Sequence, residues 1–208
     1  MKDAERIDGR RPVNARHRRW LTLRGSLTAH LHQASGKRVT VARLRQGACV
    51  ALPGELDSLG ASPGWARCRT LHAREVVLHI GGPGMVYARS VSPQRCMAGP
   101  WRALRSLGSR PLAELLFADP WTRRSPLRVM RIGPVGPWRR HLRRALARAV
   151  KPPHLPRACW GRYSVFCKAG QQLRVMEVFS PEALALHAPL PRTGHAQRPH
   201  SALRIRAR

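Results

Sequence analysis

The stretch "HAREVVLHIGGPGMVYARSVSP", residues 72–93, decides the fold. Two runs rich in β-branched and apolar residues flank Gly-Gly-Pro-Gly, so the stretch reads as two antiparallel strands around a hairpin turn. Strand side chains alternate between faces with period two. That alternation sets Arg74 on the face of Val76, Leu78 and Ile80. An arginine on a core-facing position needs a partner, because an unpaired buried charge costs several kcal/mol even after relaxation.

The last apolar strand, "QLRVMEVFSP" (residues 172–181), repeats the pattern with opposite sign. Leu173, Val175, Glu177 and Phe179 share one face; Arg174, Met176 and Val178 share the other. Two strands therefore each place one charge on a core-facing position. Either the two charges form a structural ion pair, or they meet a ligand between them. In the second case Arg74 offers its planar fork of donors to a carboxylate, and Glu177 accepts from a hydroxyl at the ligand's other end. A small, flat, hydroxylated carboxylic acid fits that geometry.

Outward from these strands, residues 1–13 read as a flexible polar arm and residues 14–34 as helix, broken at Gly25 and restarted by an N-cap at Ser26. Residues 37–47 read as a strand ending at Gly47, and the Gly, Pro and Ser beyond it as loop to about Gly64. Within residues 99–117, Pro100 and Gly108 punctuate one helix and Pro111 opens a second. Residues 126–133 and 160–170 are strand candidates. Between them "PWRRHLRRALARAVK" (137–151) is a basic amphipathic helix with Trp138, Leu142, Ala145 and Ala149 on one face. Residues 187–208, rich in Pro, Arg and His, read as a disordered tail. The order predicts one α+β domain over residues 14–186, mainly antiparallel sheet with flanking helices.

Composition bounds the function classes. The 208 residues carry 39 Lys and Arg against 10 Asp and Glu, a formal net charge of +29. Such a field attracts anions of every kind and selects none. A 43% hydrophobic fraction argues against global disorder. The five cysteines, Cys49, Cys68, Cys96, Cys159 and Cys167, show no metal-ligand spacing, and with no secretion-signal pattern they read as reduced thiols in the cytoplasm. No apolar run reaches the roughly 20 residues of a membrane helix. His30 and His32 diverge on their helix, and His79 faces away from Arg74, so no metal site is expected. The Gly81–Gly84 turn opens no helix and reads as a hairpin rather than a phosphate loop.

Six short motifs, "SLT", "REVVL", "ARSVSP", "LGSRPLAELLF", "WGRYSVF" and "MEVFSP", in that order from Ser26 to Pro181, resemble the chorismate lyase (chorismate pyruvate-lyase) family. The resemblance implies an antiparallel sheet with the ligand buried between sheet and helical flaps. It also implies conversion of chorismate to 4-hydroxybenzoate and pyruvate, the first committed step towards ubiquinone, with no cofactor. The family's carboxylate-binding arginine falls on Arg74, and its hydroxyl-binding glutamate on Glu177; these two are the expected catalytic pair. Two further ligand contacts fall on Leu112 and Leu27, the latter through backbone. A second cation should meet the enolpyruvyl carboxylate, with Arg89 and Arg162 as candidates.

His72 stands where the family often has tryptophan, and the segment between "RIG" and "WGR" is longer than in compact members and holds the basic helix 137–151. Its arginines form either a solvated face or a docking surface for anionic membrane. The expected protein is a monomer with no specific nucleic-acid partner. The rival readings are an effector-sensing module of the same fold, which an attached helix-turn-helix would accompany, and a basic nucleic-acid-binding protein.

Overall fold

The hairpin forms as its alternation requires. β2 (Thr70–Ile80) and β3 (Gly84–Pro93) pair antiparallel, Arg74 opposite Ser90 and Val76 opposite Ala88. Gly81 and Gly82 turn the chain with φ of 62° and 130°, a region that a Cβ disfavours and glycine adopts freely. The computed structural model describes residues 14–60, 70–117 and 119–189; the expected arm (1–13), most of the expected tail and Cys68 lie outside them.

Around the hairpin, β1 (Val39–Val50), β4 (Arg123–Arg124), β5 (Arg128–Ile132), β6 (Cys159–Lys168) and β7 (Gln171–Phe179) complete one antiparallel sheet. Its order is β1-β2-β3-β7-β6, with β4 and β5 following one another along the outer edge of β6. The expected α+β class, a mainly antiparallel sheet with flanking helices, is what the chain adopts.

Both faces of the sheet are covered, so β2 is buried along almost its whole length. On one face lie α1 (Ala15–Thr22), α2 (Leu27–Ser35), α4 (Leu112–Phe117) and α6 (Pro181–Ala185). Trp20, Leu21 and Leu31 pack there on Val76, Leu78, Val86 and Phe179. Ser26 caps α2, its Oγ accepting from the Ala29 amide at 3.2 Å, and Gly25 breaks the chain before it with φ 100°. The opposite face carries the one-turn α3 (Glu55–Ser58) and α5 (Pro137–Leu146), whose Trp138, Leu142, Ala145 and Leu146 pack on Val77, Tyr87, Met176 and Val178.

Several boundaries differ from the sequence reading. β1 runs through Gly47 to Val50, because a bulge between Arg43 and Arg45 absorbs the irregularity and pairing with β2 resumes. The first predicted helix of residues 99–117 is instead a 3-10 turn, Arg102–Ser106, preceded by another at Gln94–Met97, and only the segment after Pro111 is α-helical. α5 ends at Leu146 rather than Lys151: beyond it the Arg148 and Ala149 amides donate to Ala145 O and Leu146 O in tighter turns, and Pro152 disfavours helical backbone at Lys151.

Candidate active site

Register fixes which side chains share the helix-covered face. One cross-strand row runs Arg74, Ser90, Val175, Ser164; the next runs Val76, Ala88, Glu177, Arg162. Arg74 and Glu177 thus stand on strands two apart, a lateral separation of roughly 10 Å, on adjacent rows. They line one cavity whose space, its open mouth included, is about 580 Å³. Its floor is the sheet. Its roof is the Gly25–Thr28 turn into α2 and the Pro111–Phe117 start and body of α4, so Leu27 and Leu112 line it as well. All four expected contacts are brought together.

Arg74 is 2% exposed. Its Nη2 donates to Gly108 O and Arg110 O, each at 2.9 Å, which ties the arginine to the segment entering α4. Its Nε is buried without a partner. Burial first, then the charge of Arg43, pushes its pKa down to about 10. No carboxylate of the described residues meets it. Glu177 is 15% exposed, and its Oε2 accepts from Arg162 Nε at 2.6 Å. Arg162 is fully buried; its Nη1 donates to Trp20 O and Leu23 O, both at 2.7 Å, and its guanidinium lies 5.4 Å from the centre of the Phe179 ring. Arg162 therefore locks the end of α1 to the sheet and orients Glu177. The charged groups on the site face do not pair as Arg74 with Glu177.

Neither sequence candidate for a second carboxylate contact points freely into the cavity. Arg162 is engaged as described through Nε and Nη1; its Nη2 is buried without a partner among the described residues, and the residue is not part of the cavity lining. Arg89 alternates to the opposite face of β3, where Nε and Nη2 donate to Glu55 at 2.8 and 3.1 Å and Nη1 donates to Glu75. The cation that does line the cavity is Arg124, which sequence reasoning missed. Its Nε donates to Ser164 Oγ at 2.8 Å and its Nη1 to Gly25 O at 3.3 Å. A two-residue strand carries too little periodicity to announce itself, so nothing in the chain distinguished Arg124 from its neighbour Arg123. Glu55 was missed for a similar reason: it sits in a one-turn helix inside an apparent loop, yet is fully buried against Arg89.

His30 lies beside the cavity's roof. Burial first, then Arg162, holds its pKa below the usual imidazole value. Among the described residues no cluster of His, Cys, Asp or Glu has the makings of a metal site. No described helix is long and apolar enough to cross a membrane.

This arrangement can hold a carboxylate at Arg74 and a hydroxyl at Glu177 inside a shielded space. Comparison with known proteins identifies the family. The chain is similar to a "Probable chorismate pyruvate-lyase" of Azoarcus sp. (strain BH72), 45% identical over 178 residues, covering 85% of this chain and 89% of that protein. It is also similar to a protein of the same description from Albidiferax ferrireducens, 37% identical over 172 residues and 83% of each chain. Among solved structures the C-terminal domain of PhnF shares the fold, with a TM-score of 0.50 at 13% identity, covering 82% of this chain and 95% of that one. The family profile described as chorismate lyase matches residues 8–185. With that match spanning most of the sequence, and with the cavity its residues build, the chain belongs to the chorismate lyase family.

Proposed function

We propose that this protein converts chorismate to 4-hydroxybenzoate and pyruvate in the cytoplasm, as the first committed step towards ubiquinone, with no cofactor. The observation that carries this reading is Arg74: a buried guanidinium with an unpartnered Nε, lining the cavity that also contains Glu177, and matched to no carboxylate among the described residues. A ligand carboxylate supplies the missing counter-charge. The Glu177 Oε1, with no protein donor among the described residues, then accepts from the C4 hydroxyl at the ring's far end.

The reaction asks little more than positioning. The C3–O bond to the enolpyruvyl group breaks, the C4 hydrogen is lost, and the C4–H electron pair completes the aromatic ring. The departing enol takes a proton at its methylene carbon and leaves as pyruvate. Aromatisation drives the step, so the protein's work is to hold the ether in the eliminating conformation and to exclude water. The roof of α2 and α4 does the second. Arg74 and Glu177, fixed by the Gly108 and Arg110 carbonyls and by Arg162, do the first. Glu177 orients the C4 hydroxyl and stabilises charge developing there. The same parts serve a proton transfer to Glu177 and a concerted transfer within the substrate.

The test is direct: incubate purified protein with chorismate and follow 4-hydroxybenzoate absorbance, with Arg74→Ala alongside. Turnover by the wild type and its loss in the variant support the reading; an inert wild type refutes it.

A separate observation favours contact with anionic membrane. Arg140, Arg143, Arg144, Arg148 and Lys151 are exposed on and just beyond α5, with Val150 96% exposed among them. Residues 120–176 contain no Asp or Glu to balance them. Arg139, counted with this face from the sequence, instead folds back to Pro156 O at 2.7 Å and to Cys159.

A further inference from the structure

Arg124 is the cavity residue that the reaction as described leaves without a task. Its backbone pairs with Phe166 at the edge of the sheet, and its side chain turns over the site face. The guanidinium lies 5.0 Å from the centre of the Phe166 ring and donates to one hydroxyl and one carbonyl, Ser164 Oγ and Gly25 O. No protein carboxylate bonds to it among the described residues. Ser164 belongs to the same cross-strand row as Arg74, three strand spacings or roughly 14 Å away. Two guanidinium groups therefore approach one cavity from opposite ends, with Glu177 on the adjacent row between them. A monocarboxylate leaves one of the two unmatched.

We propose that Arg124 binds the second carboxylate of the substrate, the one on the enolpyruvyl side chain. This rests on the chorismate lyase reading and deepens it. The role separates substrate from product: 4-hydroxybenzoate keeps only the ring carboxylate, which belongs to Arg74, while the carboxylate at Arg124 departs with pyruvate. The hold on Gly25, in the turn that roofs the cavity, ties this arginine to the lid over the departing group. Arg124 therefore contributes to substrate capture and to orienting the ether, and contributes nothing to retention of the aromatic product.

The experiment compares wild type, Arg124→Gln and Arg124→Lys in chorismate turnover and in calorimetric binding of 4-hydroxybenzoate. A desolvated charge pair loses on the order of 2 kcal/mol or more when one partner is removed. Arg124→Gln is accordingly expected to lower kcat/KM for chorismate by about thirtyfold or more. Its affinity for 4-hydroxybenzoate stays within about twofold of wild type, and Arg124→Lys, which keeps the charge but not the planar fork, falls between wild type and Arg124→Gln in turnover. Thermal melting of each variant accompanies the kinetics, and Arg124→Met, which keeps the stem against Phe166 and removes the charge, carries the comparison if the glutamine variant does not fold. Parallel weakening of chorismate and 4-hydroxybenzoate would make Arg124 a structural support and overturn the proposal, as would unchanged chorismate kinetics. A wild type that binds 4-hydroxybenzoate but does not turn over chorismate brings down the underlying reading and this proposal with it.

Discussion

Arg74 and Glu177 face one cavity from strands two apart, and neither is the other's counter-ion. Glu177 is matched by Arg162, whereas among the described residues Arg74 is held by two carbonyls and no carboxylate. The distinction makes the two residues differ in what they do for the fold.

For Arg74, binding and stability should separate. Burying a guanidinium without a carboxylate costs free energy, and its lowered pKa has that desolvation as its first cause. Arg74→Met removes the cost and keeps the stem's volume. Urea unfolding is expected to show the variant within about 1 kcal/mol of wild type or more stable, since a well-packed apolar replacement is often neutral or stabilising. Calorimetry should show 4-hydroxybenzoate affinity reduced by about thirtyfold or more, the scale of a lost desolvated charge pair. Strong destabilisation with affinity retained would mean that the arginine serves the fold alone.

For Glu177 the two should fall together. Glu177→Ala leaves fully buried Arg162 without its carboxylate, a loss of roughly 3 kcal/mol in urea unfolding. Glu177→Gln keeps an acceptor for Arg162 Nε and so spares most of that loss. Its turnover of chorismate is still expected to drop by at least about tenfold, because the charge facing the reacting carbon is gone. Undiminished turnover and product affinity in the glutamine variant would remove Glu177 from the mechanism.

How far this was legible follows from what each signal depends on. Alternation within one strand is local, so the faces of Arg74 and Glu177 could be read from residues 72–80 and 172–179 alone. That the two line the same cavity depends on β7 inserting beside β3, a pairing of segments some ninety residues apart. The partner of Glu177 depends on the next pairing, which sets Arg162 opposite it. In a chain with 39 Lys and Arg, composition offers no way to choose that arginine over Arg89 or Arg124. Period two does place Arg89 opposite the face of Ala88 and Ser90, and applied along β3 it would have removed Arg89 from the ligand contacts.

The opposite face carries a prediction about pH. Glu75 is 1% exposed, accepts from Arg89, and lies 2.9 Å from His141 Nε2. Burial alone would push its pKa up; His141 and Arg89 outweigh burial, and the carboxyl sits below its ordinary value of 4.5. The folded state thus binds fewer protons there than the unfolded chain. This group's stabilisation is complete above pH 4.5 and is lost as pH falls from 4.5 through the lowered folded value. His30, also lowered, acts in the same sense but from its ordinary value of 6.5 downward. Urea unfolding as a function of pH should therefore show Glu75→Gln less stable than wild type at neutral pH, with the gap narrowing only below about 4.5. A gap that stays constant to pH 3 would place the stabilisation elsewhere.

The basic helix gives the last prediction. Its buried side, Trp138, Leu142, Ala145 and Leu146, accounts for its packing, so the arginines on the other side are not needed to hold it down. Like charges crowded on one face repel each other and contribute no stability to the isolated protein. An anionic lipid surface would turn that repulsion into attraction worth about 1 kcal/mol per basic residue near the surface, and Val150 could enter the headgroup layer. Replacing Arg140, Arg143, Arg144 and Arg148 by Gln should leave chorismate turnover unchanged and thermal stability no lower than wild type. Cosedimentation with phosphatidylglycerol-containing vesicles should fall by about a hundredfold or more in affinity, with little binding to phosphatidylcholine vesicles by either protein. Equal binding of both proteins to the anionic vesicles, or binding by neither, would identify the face as merely solvated.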